Sequence, residues 1–209
     1  ALTDILTGLY ATIAIQAALA HREKSGLGQH IDLALLDVQV ACLANQAMNY
    51  LASGKAPGLM GNAHPNLAPY AVFDCKDGWL ILATGNDGQY QRLCKVLGLE
   101  AMAVDAKFLT NADRIANRAE MTERLTAATK TWAKADLLAA CEVEGVPAGP
   151  INDLAEVFAD PQVVARGMQI APEGMKGVRS PMTFSGAELA LDRPAPRLGQ
   201  HQDEVLRDL

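Results

Sequence analysis

The sequence lacks the signatures of the common hydrolases, nucleotide-binding proteins and zinc enzymes. Its 209 residues contain no GxSxG, P-loop, GxGxxG or HExxH motif. The four cysteines show no CxxC spacing, and no histidine lies at a zinc-like interval from another ligand. We therefore expect four reduced thiols, most of them buried, and no metal site.

Clustered positive charge is also missing. The chain has 18 Lys and Arg against 24 Asp and Glu, which gives a formal net charge of −6. A nucleic-acid binder needs grouped Lys and Arg to neutralise phosphates, so we expect no nucleic-acid partner. Half of the residues are hydrophobic and a fifth are charged, which is typical of a globular chain with a core.

Targeting signals and a clear membrane span are absent from the sequence as well. The first residues contain no basic region and no cleavage signal. The longest apolar stretch, residues 5–20, is interrupted by polar residues and is shorter than the roughly 20 apolar residues of a membrane span. We therefore predict a cytoplasmic protein with no membrane partner. There is no initiator Met, and the chain opens inside a helix start, which indicates a fragment of a longer protein.

Helical and extended patterns alternate along the chain, which predicts a mixed α/β fold. A helix capped by Thr3 runs through the Ala-rich residues 5–19, and we expect it to be buried on most sides. Residues 29–33 alternate between polar and apolar types as a short strand does, and helical periodicity returns over 35–51. The Gly- and Pro-rich segment 53–69 predicts a long loop and a domain boundary.

The rest of the pattern begins with a β-hairpin that turns at Asp77-Gly78. Further elements are predicted in sequence order: helices over 85–97, 111–129 and 134–144, an extended segment over 145–151, a helix over 154–158 capped by Asn152, short strands after Gly167, and a final helix over 201–209.

Asp4 is the first candidate for chemistry. The helix dipole favours a carboxylate in the first turn, so an ordinary, partly solvated aspartate is the simpler interpretation. The alternative is a nucleophilic or acid/base carboxylate that faces a substrate cleft, since carboxylates form covalent acyl intermediates. The residues alone leave both interpretations open.

The second candidate is the loop Gly61-Asn62-Ala63-His64-Pro65. Small residues let a backbone approach a ligand closely, and His64 exchanges protons near neutral pH. A structural turn with a surface histidine explains the same residues. Two weaker candidates, residues 21–24 and 86–88, are more simply explained as helix ends.

Four blocks of sequence carry a family resemblance when they are taken in order. They are Asp4-x-x-x-Gly8 with Ala18-x-x-x-Arg22-x-x-x-Gly26-x-Gly28-Gln29-x-Ile31-Asp32-Leu33; Gly61-Asn62-x-His64-Pro65 with Pro69-Tyr70-x-x-Phe73-x-x-x-Asp77-Gly78; Gly145-Val146-Pro147-x-Gly149-Pro150-Ile151 with Asp160-Pro161-Gln162; and Pro196-x-Leu198-Gly199-x-His201. Together they resemble the class III CoA-transferases, the family of formyl-CoA transferase and carnitine CoA-transferase. The branch that uses succinyl-CoA and dicarboxylic acids, such as succinate–hydroxymethylglutarate CoA-transferase, is the most similar.

The resemblance implies a fold and a division of the chain. Members of the family combine a Rossmann-like large domain with a small α/β domain, and two chains interlock as a homodimer. Residues 1–54 would belong to the large domain, 55–68 to a linker with the active-site loop, 69–151 to the small domain, and 152–209 to the large domain again. An N-terminal half with most of the CoA pocket would lie outside this chain.

The resemblance also implies an activity. The protein would transfer CoA between an acyl-CoA, such as succinyl-CoA, and a small carboxylic acid, with the CoA thioester as substrate and no tightly bound cofactor. Asp4 is the implied nucleophile, which forms a covalent aspartyl intermediate. The implied substrate-binding loop, which excludes water from that intermediate, comprises Gly61, Asn62, Ala63 and His64. His64 is a candidate hydrogen-bond donor to a substrate carboxylate.

Two other functions remain open at this point. A 2-methylacyl-CoA racemase shares the fold and would use Asp4 as an acid/base group. That branch tends to carry a glutamate near Asn86-Asp87, where this chain has none. The non-enzyme alternative is an inactive fragment that serves as a binding or structural module, and the presence of both Asp4 and the loop counts against it.

Overall fold

The structure of the protein is a computed structural model that describes residues 1–208. Within them the chain forms two compact units that meet in sequence between Asn66 and Leu67. This boundary falls inside the segment 55–68 that the sequence assigned to a linker. The assignment of the flanking segments to a large and a small domain stays a prediction.

The first unit, residues 1–66, consists of three helices. Helix α1 spans Leu2–Ser25, α2 spans Leu35–Ala41 and α3 spans Ala44–Ser53. Gly26 and Gly54 end α1 and α3 with φ angles of 71° and 70°, the left-handed conformation that glycine adopts without strain. The segment between α3 and residue 67 is a loop, as predicted.

Three expectations for this unit are wrong. Thr3 does not cap α1, because the helix already includes Leu2, and the Thr3 hydroxyl donates a hydrogen bond to Gln39 instead. Residues 29–33 form no strand, since the unit contains only helices and offers no partner for a ladder of hydrogen bonds. Helix α1 has no buried residue, because only the two short helices α2 and α3 are present in the unit to pack against it.

Helix α1 also bears on the expectation that no segment can span a membrane. At 24 residues it is long and apolar enough, by length and composition, to cross one, and it is the one such helix among residues 1–208. Helix α1 extends beyond residues 5–20 at both ends, so a membrane span is not excluded by the length of the segment. An apolar helix that is packed inside a larger protein has the same composition, and the absence of a membrane partner stays a prediction.

The second unit begins at Leu67 and is built on a three-stranded antiparallel sheet. Strand β1 (Tyr70–Cys75) pairs with β2 (Gly78–Ala83), and β2 pairs with β3 (Ala148–Ile151). The predicted hairpin is confirmed, with Lys76 and Asp77 at its turn. The predicted extended segment supplies the third strand.

Helices precede and follow β3 along the chain. They are α4 (Asp87–Val96), α5 (Glu100–Ala103), α6 (Asn111–Ala116), α7 (Arg118–Thr129), α8 (Lys134–Val143), α9 (Leu154–Ala159), α10 (Pro161–Ala165) and α11 (Gln202–Arg207). A 3₁₀ turn at Pro172–Gly174 separates β4 (Gln169–Ile170) from β5 (Gly177–Val178), and these two strands pair antiparallel.

The predicted helices of this unit are confirmed with local corrections. The helix predicted over 111–129 is interrupted at Asn117, so it forms α6 and α7. Helix α9 is capped by Asp153 rather than Asn152, and the Asp153 carboxylate accepts the Glu156 N–H at 2.8 Å. The last predicted helix is shorter than expected, and Leu209 lies outside the described residues.

The core of the second unit lies between one face of the sheet and the helices packed on it. Phe73, Leu80 and Leu82 point to that face, because alternate residues of a strand share one side. The helices contribute the remaining buried side chains, among them Tyr90, Leu93, Cys94, Met102, Met121, Leu125, Leu137 and Cys141. Full burial of each large apolar side chain contributes about 1.5–3 kcal/mol.

All four cysteines are free, which confirms the expectation of reduced thiols. Cys75, Cys94 and Cys141 are buried, and Cys42 is partly buried. Burial raises the pKa of Cys141 to about 11, because the thiolate loses its hydration. Burial also raises the pKa of Cys75 and of Cys94. The three buried thiols are therefore protonated at neutral pH and act as small core residues.

A buried arginine connects several segments of this core. Arg114 of α6 is 1% exposed. Its Nε donates to the Ala68 carbonyl at 2.6 Å, and its Nη1 donates to the Phe108 carbonyl at 3.0 Å. Its Nη2 donates to Asp87 Oδ1 at 2.7 Å, and the guanidinium lies 4.5 Å from the centre of the Tyr90 ring. Arg114 thus joins α4 and α6 to the chain that enters β1.

Candidate functional site

Asp4 lies in the first turn of α1, and its carboxylate is 73% exposed. The unpaired backbone N–H groups of a first turn and the positive end of the helix dipole attract negative charge at such a position. An exposed carboxylate beside unpaired N–H donors is accessible to an electrophile and lies near groups that stabilise a developing oxyanion.

The turn that carries Asp4 is held by neighbouring side chains. The Thr3 hydroxyl donates to Gln39 of α2, and the Thr7 hydroxyl donates to the Thr3 carbonyl at 2.7 Å. These bonds connect the first turn of α1 to α2 through Thr3 and leave the carboxylate of Asp4 exposed.

The loop with Gly61, Asn62 and Ala63 starts with a tight turn. Gly61 has a φ of 60°, and the Ala63 N–H donates to the Met60 carbonyl at 3.2 Å. A Cβ at Gly61 would meet no atom within 4 Å. The glycine is therefore needed for its left-handed backbone rather than for space.

His64 follows this turn, and one of its ring nitrogens has a defined role. The Asn66 backbone N–H donates to His64 Nδ1 at 3.1 Å. A backbone amide only donates, so Nδ1 is an acceptor and carries no proton. The neutral ring then carries its proton on Nε2, which is a donor of the kind that binds a carboxylate oxygen.

Asn66 also attaches the loop to α3. Its side-chain Nδ2 donates to Asn49 Oδ1 at 3.1 Å, and Asn49 Nδ2 donates back to Asn66 Oδ1 at 3.1 Å. Two reciprocal bonds fix both the position and the orientation of each amide group. The sequence alone does not predict this contact, because its partners are 17 residues apart and a single Asn on a helix gives no local signal.

The predicted catalytic and binding residues all lie in the first unit. Within residues 1–208, no hydrogen bond or ion pair joins Asp4 to the loop at 61–64. Nothing in the structure tests the roles assigned to Asp4, Gly61, Asn62, Ala63 and His64, which stay predictions. Among residues 1–208, no group of three or more His, Cys, Asp or Glu side chains is placed to hold a metal ion.

The two weaker candidates are helix ends, as the simpler interpretation predicted. Asn86 caps α4 by accepting the Gln89 N–H at 2.9 Å, and Asp87 pairs with the buried Arg114. Arg22 and Lys24 lie exposed in the last turn of α1, where the helix dipole favours cations.

Comparison with known proteins decides the family. The family model described as CoA-transferase family III matches residues 1–202. The chain belongs to CoA-transferase family III. A succinate–glutarate CoA-transferase from Agrobacterium fabrum is 54% identical over all of this chain, which spans 54% of that protein. A human succinyl-CoA:glutarate CoA-transferase is 38% identical over all of this chain, which spans 49% of that protein. The chain therefore spans about half the length of the curated relatives it matches.

Solved structures support the same fold. A CaiB/BaiF family protein from Brucella suis superposes with a TM-score of 0.83 and is 54% identical, and the match covers 99% of this chain and 55% of that one. A hypothetical protein from Mycobacterium tuberculosis gives a TM-score of 0.81 at 23% identity over 97% of this chain and 54% of that one, which shows the fold alone. The expected mixed α/β fold of the CoA-transferase type is confirmed.

Proposed function

We propose that this chain is the part of a CoA-transferase that carries the nucleophile, and that the nucleophile is Asp4. The complete protein transfers CoA from an acyl-CoA, such as succinyl-CoA, to a small carboxylic acid. The observation that carries the proposal is an exposed carboxylate in the first turn of α1, inside a segment that matches family III. The names of the relatives, which combine succinate or succinyl-CoA with glutarate, support this choice of substrates.

The first half-reaction moves CoA onto the protein. The Asp4 carboxylate attacks the thioester carbonyl of the donor, the C–S bond breaks, and a mixed anhydride and CoA thiolate form. The thiolate then attacks the Asp4 carbonyl of the anhydride. The first acid leaves as its carboxylate, and Asp4 becomes an aspartyl-CoA thioester.

The second half-reaction reverses these steps with a new acid. The acceptor carboxylate attacks the aspartyl thioester, which forms a second anhydride and releases CoA thiolate. The thiolate attacks the acceptor carbonyl, the acyl-CoA product forms, and Asp4 returns to a free carboxylate. Anhydride and thioester are similarly activated, so neither half-reaction is steeply uphill, and water must be kept from both.

The loop at 61–64 is proposed to bind substrate and to exclude water from these intermediates. Gly61 and Ala63 give its turn a backbone with little side-chain bulk, which lets a loop approach a bound ligand closely. His64 supplies an Nε2–H donor, and the carboxylate of the acid substrate is its proposed acceptor.

The exposed apolar surface of the first unit supports the proposed partners. Helix α1 presents Leu2, Ile5 and Ile13 to solvent, each more than 60% exposed. A stable soluble protein rarely leaves a surface of this kind uncovered. We propose that an N-terminal half of the same protein and a second, interlocked chain cover it, within a cytoplasmic homodimer with a Rossmann-like large domain.

The test uses the full-length protein with succinyl-CoA and no acceptor. We expect an adduct by intact mass that maps to the peptide with Asp4 and is released by hydroxylamine. Asp4→Asn should form no adduct. Asp37→Asn, which changes another exposed first-turn aspartate, should form it normally and serves as the control.

The same experiment separates the racemase from the transferase. A racemase would form no adduct and would exchange the α-proton of a chiral 2-methylacyl-CoA with solvent deuterium. That result would overturn the proposal of covalent transfer. A protein with neither property would be a binding module.

A further inference from the structure

Two asparagines and a histidine form a continuous hydrogen-bonded series in the first unit. Asn49 and Asn66 exchange two amide bonds of 3.1 Å each, and the Asn66 N–H donates to His64 Nδ1 at 3.1 Å. Asn49 lies near the middle of helix α3, whereas His64 and Asn66 lie in the loop. The series therefore connects the loop to a regular element.

The series fixes the loop more tightly than a single bond would. A primary amide has its donor and its acceptor in one plane, so two reciprocal bonds set its rotation as well as its distance. With the Asn66 side chain fixed, its backbone N–H is directed at the imidazole. The ring orientation and the position of its proton are then determined by Asn49 through Asn66.

We propose that Asn49 is a positioning residue for substrate recognition. It holds His64 in the tautomer with Nε2–H, which donates to the carboxylate of a dicarboxylic acid that does not react at Asp4. This inference rests on the proposed function and deepens it, because it names the class of acid that the loop selects.

A dicarboxylic acid fits this arrangement for an electrostatic reason. The carboxylate that attacks the aspartyl thioester must not be held by hydrogen bonds strong enough to block its attack. The other carboxylate of the acid does not react and keeps its full negative charge throughout. A hydrogen bond to a charged group is about twice as strong as one between neutral groups. A monocarboxylic acid of the same length places a methyl group at that position, which accepts no hydrogen bond.

The kinetic test uses the full-length protein, with glutarate and pentanoate as acceptors. In a double-displacement reaction kcat/KM for the acceptor does not depend on the donor, so succinyl-CoA serves for both. We expect Asn49→Ala to lower kcat/KM for glutarate about 5- to 10-fold, mainly through KM, and His64→Ala to lower it about 10- to 100-fold. The kcat/KM for pentanoate should stay unchanged in Asn49→Ala. Equal losses for the two acids, or a glutarate KM within twofold of wild type, would overturn the proposal.

Matched variants separate positioning from general damage. Asn45 lies one turn earlier on α3 and is exposed, and its side chain makes no hydrogen bond in the described part of the chain, so Asn45→Ala should leave both acids unaffected. Asn49→Asp keeps an acceptor for Asn66 Nδ2 and loses the donor, so an intermediate loss is expected. In a His64→Gln background, Asn49→Ala should cause no further loss, because its effect passes through the imidazole. An additive loss would contradict this.

A spectroscopic measurement tests the geometry without catalysis. The ¹⁵N shifts of ring-labelled histidine distinguish a protonated nitrogen from an unprotonated one, and the His64 signals are assigned as those missing from His64→Gln. We expect an unprotonated Nδ1 and a protonated Nε2 in the wild type, and a mixture of tautomers in Asn49→Ala. A wild-type ring with its proton on Nδ1 would overturn the inference. If the wild-type His64 carries its proton on Nε2 as expected but the protein transfers no CoA, the proposed function would be overturned instead.

Discussion

The two units of the chain bury their apolar side chains very differently. The second unit encloses a continuous core with Leu80, Leu82 and Leu93 fully buried. Among residues 1–66, Val38 is the one buried residue. Large apolar side chains lie exposed on all three helices of that unit, among them Leu2, Ile5, Ile13, Leu36, Met48 and Leu51.

The difference separates a unit with a hydrophobic core of its own from one that buries almost no side chain. Hydrophobic burial is the dominant favourable term in folding, and the second unit supplies it from its own residues. The first unit carries the proposed nucleophile and loop but has little core of its own. We propose that it acquires stability from the rest of a protein about twice as long.

The largest effect is expected at Asp4, and it should concern activity alone. Asp4→Asn should lower kcat/KM for CoA transfer more than about 10⁴-fold, since removal of a nucleophile abolishes a covalent mechanism. The free energy of unfolding should change by less than about 0.5 kcal/mol, because the carboxylate is exposed. Steady-state kinetics and urea unfolding of the full-length protein measure both. Substantial residual transfer would contradict the assignment.

The next effect is expected at Arg114, and it should concern stability. Arg114→Ala leaves the Ala68 and Phe108 carbonyls without this donor and opens space beside Tyr90, which should cost about 3–5 kcal/mol. Arg124 is half exposed and lies 5.6 Å from the Phe108 ring, so Arg124→Ala should cost less than about 1 kcal/mol. Urea unfolding compares the two. Similar losses would show that the buried arginine has no special role.

A pair of leucine substitutions tests the comparison of the units directly. Leu82 is fully buried, so Leu82→Ala should cost about 2–5 kcal/mol in any context. Leu51 is 70% exposed, so Leu51→Ala should cost less than about 0.5 kcal/mol in the 209-residue chain. In the full-length protein we expect its cost to exceed about 1 kcal/mol, because the added residues cover it. An equally small cost in both proteins would contradict that coverage.

The smallest effect is expected from a helix cap in acid. Hydrogen bonds from the Thr110 hydroxyl and N–H lower the pKa of Asp113 from its ordinary value of 3.8. A lowered folded-state pKa stabilises the protein above the unfolded value, and this contribution disappears as the pH falls from about 4 through the folded value. Asp113→Asn should therefore flatten the dependence of stability on pH below about 4.

The control for this prediction is Asp136→Asn, which changes an exposed first-turn aspartate of α8, a helix without a side-chain cap. In Asp136→Asn the free energy of unfolding should depend on pH as it does in the wild type. Urea unfolding between about pH 2 and 5, roughly the range where Asp titrates, measures this dependence. An identical slope for Asp113→Asn and the wild type would show that the capping box has no energetic role.

Local chemistry explains which elements were predictable. The hairpin was predicted from alternating residues around Asp77-Gly78, and helix α4 from the capping residue Asn86, because both signals lie within a few residues. The absent strand at 29–33 and the exposed α1 were not predicted correctly. Both depend on what lies beside the segment, which a periodic pattern does not specify.

The residues of the candidate site also divide into those that local sequence predicts and those that depend on distant partners. Asp4 and His64 were predicted as candidates from their residue types and local setting, and their roles from the resemblance of their sequence blocks to a family. The tautomer of His64 and the roles of Asn49 and Arg114 were not predicted, since each depends on a partner that is distant along the chain or on a backbone orientation.

The sequence by itself determined the family, the reduced state of the thiols and most of the regular elements, since composition, spacing and capping are local properties. The tertiary structure decided which side chains meet. Asn49 reaches Asn66 across 17 residues, and Arg114 reaches the Ala68 carbonyl across 46. Such contacts form only when the chain folds back on itself, so the position of the imidazole proton and the completeness of each core are tertiary properties.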